Sequence, residues 1–162
     1  MNIHIVTTAY NLEGGQTRLY NSIMDNTNHN ITFHLFLHTD RWNNVTTECE
    51  KLAENENVIY YPYLRNRGLS KSWNEGLINA YEGGRLYNSQ QSYPRHNQKY
   101  WNKKNNTKAD YVFIIGDDVE FAPSSLDIMV ETANNNPECC IVTGNTGVQL
   151  RDWSLGKNSS SY

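Results

Sequence analysis

The sequence predicts an α/β domain built on a mainly parallel sheet flanked by helices, on three observations. Short runs rich in β-branched and aromatic residues alternate with stretches of helical periodicity. Strands that alternate with helices in this way pair in parallel, because each helix carries the chain back to the edge from which the next strand starts. Polar residues gather directly after the strands, at TTAYN (7–11), TD (39–40) and GDD (116–118), and in such sheets ligands sit outside the carboxyl ends of the strands. A length of 162 residues suits one domain with its own core.

The elements follow in order. NIHIVT (2–7) alternates with period two and predicts a strand, and Gly14-Gly15 punctuates the chain before a helix over TRLYNSIMDN, where Leu19, Ile23 and Met24 share a face. ITFHLFLH (31–38) sets Ile31, Phe33, Leu35 and Leu37 against Thr32, His34, Phe36 and His38, which predicts a second strand. A helix through TTECEKLAEN and a strand over VIYYPYL (58–64), stopped near Pro62, come next. Leu69, Trp73, Leu77 and Tyr81 recur every fourth residue, with Ile78 beside them, and predict a helix with these residues on its apolar face and Ser70 as its cap. Residues 82–108 are polar and aromatic and exceed an ordinary connection, so they read as a long mobile loop. YVFII (111–115) is the next strand. Ser124 and Asp127 match a capping box for a helix with Leu126, Met129, Val130 and Ala133 on one face, and CIVTG (140–144) reads as a last strand.

Composition narrows the function classes. A net charge of −3 leaves no basic footprint, which argues against nucleic acid as a partner and against adsorption to a membrane by charge. No run approaches the ~18 apolar residues of a transmembrane helix, and no leader precedes the first strand. Cys49, Cys139 and Cys140 have neither metal-ligand spacing nor an even count, so they read as reduced thiols of a cytoplasmic protein. The N-x-S/T triplets at Asn30, Asn44, Asn105 and Asn158 then need no glycan. His34 and His38 stand on a strand ~13 Å apart and cannot form the two-histidine zinc site of a helix. Gly14-Gly15 lacks the lysine of a P-loop and the spacing of a dinucleotide fingerprint, which disfavours ATP hydrolysis and NAD chemistry.

Two stretches carry chemistry. Asp117 and Asp118 stand together at a strand end, where two like charges repel unless a cation or several donors hold them. Their oxygens suit Mg2+ or Mn2+, with water and substrate phosphates completing the coordination. The same pair also suits a chain turn, but Ser124 and Asp127 are at hand to cap the next helix, and Asp40 adds a further acid at the same edge. In LRNRGLSKSWNEGL (64–77), Asn66 and Gly68 can turn the chain while Arg65, Arg67 and Lys71 offer charge to a phosphate near a helix start. A solvated basic turn before a packed helix explains that stretch equally well.

The order TTAYN, Asp40, NRGLSKSWNEGL and IIGDDVEFAP resembles the nucleotide-sugar-binding half of a glycosyltransferase of the GT-A fold, over about residues 1–145. It is most similar to the inverting family 2 enzymes, with a strand ending T-x-Y-N, an N-x-G-x-x-x-x-x-N-x-G stretch and a D-x-D-type metal motif. The resemblance implies a Rossmann-like sheet in a single domain, with 146–162 as a tail or the start of an acceptor region; if another segment or partner completes the acceptor site, Tyr87, Tyr93, His96, Tyr100 and Trp101 make 82–108 a lid or sugar-contacting surface, and a disordered insertion fits it equally. It further implies that Thr8, Ala9, Tyr10 and Asn11 line a base and ribose pocket and that Asp40 accepts from the base. Asn66, Arg67, Gly68 and Lys71 would line the pyrophosphate side, with Asn74 near the sugar. Asp118 would hold Mn2+ or Mg2+ against the diphosphate, and Asp117 would share the metal or contact ribose. The implied reaction moves a sugar from a nucleoside diphosphate donor, a UDP-sugar by expectation, to a hydroxyl of a saccharide or other acceptor, with inversion.

Two departures stand out. Gly116 occupies the place of the first acid of D-x-D, and 44 residues follow Asp118 where the family carries its acceptor half and catalytic base. Asp152, beside Trp153, is the remaining aspartate after the capping region and is the candidate base or acceptor-site residue; a surface acid near a chain end reads the same way. Two rivals stay open. One is a truncated sugar-nucleotide-binding module without activity, and the other is a nucleotidyltransferase, which usually needs a Gly-rich basic loop after the first strand.

Overall fold

The computed structural model describes residues 1–39, 42–63, 65–82, 107–139 and 141–142. Among the described residues, eight elements follow one another as strand and helix by turns: β1 (Asn2–Ala9), α1 (Gly15–Met24), β2 (Asn30–His38), α2 (Asn44–Leu52), β3 (Val58–Tyr63), α3 (Leu69–Glu82), β4 (Tyr111–Ile115) and α4 (Ser125–Asn135). The four strands form one sheet in the order β3-β2-β1-β4, every pair parallel. The architecture is α/β and Rossmann-like, as the alternation predicts. The chain divides into two compact units, Met1–Pro123, which holds the whole sheet, and Ser124–Tyr162, which begins with α4. Among the described residues no helix is long and apolar enough to cross a membrane.

β1 and β2 are buried along almost their whole length because helices cover both faces. On one face lie Ile3, Ile5, Ile31, Phe33 and Leu35, with Tyr20 of α1 against Phe33 at 5.0 Å between ring centroids. The other face carries Val6, Phe36, Ile59, Tyr61 and Tyr63, with Trp73 of α3 packed against them. Pro62 lies inside β3, in register with Leu37. β3 is an edge strand, and an edge tolerates the missing N–H of proline.

The buried face of α3 differs from the predicted one. Ser72, Gly76, Asn79 and Ala80 point inward, while Leu69, Ile78 and Tyr81 are exposed. A hydrogen bond lies at either end of this inward face. His38 Nε2 is 2.6 Å from Ser72 Oγ, and Asn79 Nδ2 donates to Tyr61 Oη at 2.9 Å. Gly76 lies between them, directly over Val6 and Phe36. The periodicity of the large residues misleads here because small and polar residues, not large ones, let the helix backbone approach the sheet.

The Asn79–Tyr61 bond continues as a buried polar chain, with Tyr61 Oη 2.9 Å from His34 Nδ1 and His34 Nε2 2.9 Å from His4 Nδ1. Burial and the neighbouring His4 push the His34 pKa down to about 3, so its ring is neutral.

Smaller corrections concern helix ends. α2 starts at Asn44, capped by the Asn43 side chain, which accepts from Thr46 N–H at 3.1 Å. Ser70 lies inside α3 rather than at its cap. The capping box at Ser124 does not form: Ser124 adopts a left-handed conformation (φ 63°) and its hydroxyl makes no capping bond. Ile141 and Val142 are not in a strand, and the rest of the strand expected over 140–144 lies outside the described residues. The same holds for all but the ends of the 82–108 loop.

Candidate functional site

The strand order fixes where a ligand belongs. The chain runs from β1 through β2 to β3 on one side, while β4 pairs with the other edge of β1. The crevice beyond the carboxyl ends of β1 and β4 is therefore the topological switch point. TTAYN leaves β1 there and GDD leaves β4.

Thr8 and Ala9 are buried, whereas Tyr10 and Asn11 emerge into solvent. The backbone N–H groups of Tyr10 and of Asp117 itself donate to the Asp117 carboxylate, so the ends of β1 and β4 are joined at this acid. Gln16 draws the first turn of α1 onto the end of β1, donating to the Thr8 carbonyl at 2.9 Å and to Thr7 Oγ1 at 3.0 Å. Gly15 allows that turn to lie against the Asp117 carbonyl, since any side chain there would run into the carbonyl oxygen. Gly14 adopts φ 77° to start the helix. The glycine pair thus serves one conformational and one steric need at the switch point.

The departure at Gly116 has a local explanation. A Cβ at this position would lie 2.7 Å from Asp118 Oδ1, so the carboxylate of the second aspartate folds back over the glycine. Asp118 is exposed at the mouth of the crevice and Asp117 is half-buried behind it.

A third acid, which sequence reasoning missed, completes this corner. Glu48 of α2 accepts from Gly14 N–H at 2.7 Å and from Thr17 N–H and Oγ1, each at 2.8 Å. The α1 N-terminus, with its unsatisfied donors and positive dipole end, is thereby filled by a carboxylate of the protein itself. Nothing in TTECEKL marks Glu48 apart from its neighbours, because its role depends on a helix contact. Burial raises the Asp117 pKa, and the charges of Asp118 and Glu48 raise it further, against the two backbone donors. Burial is the main cause of the rise, and each backbone donor outweighs either neighbouring acid.

The remaining predicted residues lie on the far side of β2. Asn66 Oδ1 accepts from Gly68 N–H at 2.9 Å, and Gly68 takes φ 83°, which turns the chain into α3. Arg67 is held in place: its Nη1 donates to Glu75 Oε2 at 2.7 Å and its guanidinium lies 3.7 Å over the Tyr63 ring, while Tyr63 Oη donates to the same carboxylate oxygen. Lys71 and Asn74 are exposed on the first turns of α3. At the spacing of strands in a sheet, the ends of β3 and β4 stand ~14 Å apart. That separation suits an elongated ligand laid across the strand ends rather than one contacted at a single point. Asp40 and Asp152 lie outside the described residues.

The donor set fits a hard divalent cation in part. Among the described residues no group of three or more His, Cys, Asp or Glu is arranged to hold a metal. Two adjacent carboxylates, one of them exposed, are the kind of ligands used by an ion whose other ligands are water and phosphate. Cys49, buried in α2, has its thiol pushed well up by burial and by the acids around it, so it stays a protonated, unreactive group. No protein-family model matches the chain, and no curated protein matches it either.

Proposed function

We propose that the chain is the donor-binding half of a metal-dependent glycosyltransferase, taking a sugar from a nucleoside diphosphate, by expectation a UDP-sugar, to a hydroxyl acceptor with inversion. The observation that carries this reading is the corner at the switch point: Asp117 is half-buried and held by the Tyr10 backbone, and Asp118 stands exposed beside it. Asp118 and Asp117 would hold Mn2+ or Mg2+, which supplies positive charge where a diphosphate leaving group gathers its own. Tyr10 offers an aromatic face for the base. Asn11 offers polar contacts for the ribose, and Lys71 and Asn74, exposed on the first turns of α3, would meet the far end of an elongated donor. Arg67, bound to Glu75, shapes the loop that carries them.

The filled α1 N-terminus weighs against the nucleotidyltransferase reading, which needs a free anion site after the first strand.

The test is thermal unfolding with UDP-, GDP-, CDP- and dTDP-sugars, with and without Mn2+, for the wild-type chain and Asp118→Ala. A ligand at a hundred times its dissociation constant adds about 2.7 kcal/mol, a shift of several degrees. One nucleotide class shifting the wild type only with Mn2+, and not shifting the variant, supports the reading. Equal shifts in both proteins, or none in either, overturn it. Binding without transfer to any acceptor would leave a binding module.

A further inference from the structure

We propose that His38 is a positioning residue of the donor site, acting through Ser72 to set the first turns of α3 against the end of β2. The inference rests on the donor-site reading above and adds to it a residue that touches no substrate.

His38 is the last residue of β2 and is 3% exposed, while Ser72 in the first turn of α3 is fully buried. Their contact, 2.6 Å from Nε2 to Oγ, is a short hydrogen bond between two buried side chains. Burial and the positive charge of Arg67 both hold the ring neutral. With Nε2 as acceptor, the Ser72 hydroxyl is the donor.

The groups around this bond belong to the elements that frame the proposed pocket. The His38 ring meets Tyr63 of β3 edge-on at 6.5 Å, Arg67 of the loop covers Tyr63, and Glu75 of α3 accepts from both. Thr39 and position 40 follow His38 directly, and Lys71 and Asn74 flank Ser72. One directional bond thus joins the strand end proposed to meet the base to the helix turn proposed to meet the pyrophosphate and sugar. Apolar packing could hold these elements together, but would not fix the rotation of α3 as a hydrogen bond does. Reacting groups misplaced by about 1 Å lose function out of proportion to the stability lost.

The test uses the whole chain as wild type, His38→Gln, His38→Leu and Ser72→Ala. Amide hydrogen exchange is followed over residues 65–74, and UDP with Mn2+ is titrated from pH 5 to 8, replaced by GDP, CDP or dTDP where the donor panel selects another base. Ser72→Ala and His38→Leu are expected to speed exchange over 65–74 and weaken binding about tenfold or more, with exchange in β1 and β2 unchanged. Glutamine, which can still accept from Ser72, is expected to restore binding to within a few-fold. The wild-type affinity should also fall on the acid side, as His38 gains a proton facing Arg67, with Tyr63, Glu75 and Ser72 around it, and the glutamine variant should lack that fall.

If His38→Leu does not fold, Ser72→Ala decides. Unchanged exchange over 65–74 in Ser72→Ala overturns the inference whether or not nucleotides bind, as does a loss of binding that glutamine leaves unrepaired. Failure of the wild type to bind any nucleotide, with exchange altered in the variants, sinks the donor-site reading alone.

Discussion

Replacing Gly76 by alanine tests the packing that places α3. A Cβ at this position would come within 2.5 Å of Val6 Cγ1, 2.8 Å of Val6 Cγ2 and 3.2 Å of Phe36 Cε2. Carbon atoms in contact prefer about 3.5–4.0 Å. Neither neighbour can step aside easily, since Val6 and Phe36 are fully buried and the Phe36 ring is stacked on Tyr61 at 4.0 Å. Helix propensity alone favours alanine over glycine by about 1 kcal/mol. Overpacking costs about 1–3 kcal/mol, and lifting α3 to relieve it also lengthens the Ser72 and Asn79 bonds, worth about 1 kcal/mol each. The net expectation is a loss of about 1–3 kcal/mol. For a chain of this size that lowers the melting temperature by roughly 3–10 °C, measured by thermal unfolding and by urea titration. Val6→Ala should absorb part of the damage, so the double variant should lose less than the two single losses together. A Gly76→Ala protein as stable as the wild type, or more so, would show that the helix does not approach the sheet this closely. Gly68 supplies the contrast. No atom lies within 4 Å of a Cβ built there, but its φ of 83° belongs to the left-handed region, so Gly68→Ala should cost about 1–2 kcal/mol through the backbone alone.

Three other outcomes follow from the charges. Asp117 has its pKa raised in the folded state, so it weakens the fold once pH exceeds its unfolded value near 4; Asp117→Asn without divalent ions should therefore melt higher at pH 7, and Mn2+ should narrow the gap by stabilising the wild type. His34 has its pKa lowered to about 3, so the unfolded chain takes a proton that the folded chain refuses between that value and ~6.5. Stability should fall with falling pH across that window by up to about 1.4 kcal/mol per unit, reinforced at its upper end by His4 and His38, whose pKa values are also lowered. Urea titrations at stepped pH should show the slope flattened in His34→Gln, and parallel curves would refute this assignment. Glu48→Ala strips three donors at the start of α1 of their acceptor and should cost about 1–2 kcal/mol in urea unfolding, with Glu48→Gln milder because an amide oxygen remains.

The strands were legible because burial on both sides of a parallel sheet leaves runs such as ITFHLFLH with little choice but to be strands. β4 falls on residues 111–115 as expected, and β1 and β2 extend the expected strands by a residue or two. The glycines of the N-x-G and N-x-G pairs were also visible as a pattern, though not the different reasons for them, a positive φ at Gly68 and a close approach at Gly76. What pattern reading got wrong was orientation. An i, i+4 row of Leu69, Trp73, Leu77 and Tyr81 looks like a core stripe only if apolar burial is what docks the helix. Of that row Trp73 does pack against the core, but two hydrogen bonds and a glycine contact dock the helix beside it, and the partners of those bonds, His38 and Tyr61, lie more than ten residues away in sequence. Glu48 was invisible for the same reason: its three donors sit on another helix. The acids at 117 and 118 could be read because adjacent carboxylates are conspicuous in one dimension.

Those two acids also bear on how the corner divides its tasks. A helix N-terminus beside a strand end is a natural anion site, and α1 presents one at the switch point. Had it stayed open, a phosphate could bind there without a metal. Glu48 closes it, supplying three donors with an acceptor and adding a negative charge beside Asp117. An anionic ligand at this edge then meets three carboxylates and no free helix end, which is repulsive unless a cation lies between. Under the proposed reading, the same residue that completes the fold of α1 would make phosphate binding at the β1–β4 crevice depend on a divalent ion. Glu48→Gln separates the two tasks, since it keeps an acceptor for α1 and removes the charge. If the argument is right, the glutamine variant should bind UDP more nearly equally with and without Mn2+ than the wild type does, as measured by titration calorimetry. An unchanged metal dependence would place the requirement on Asp117 and Asp118 alone.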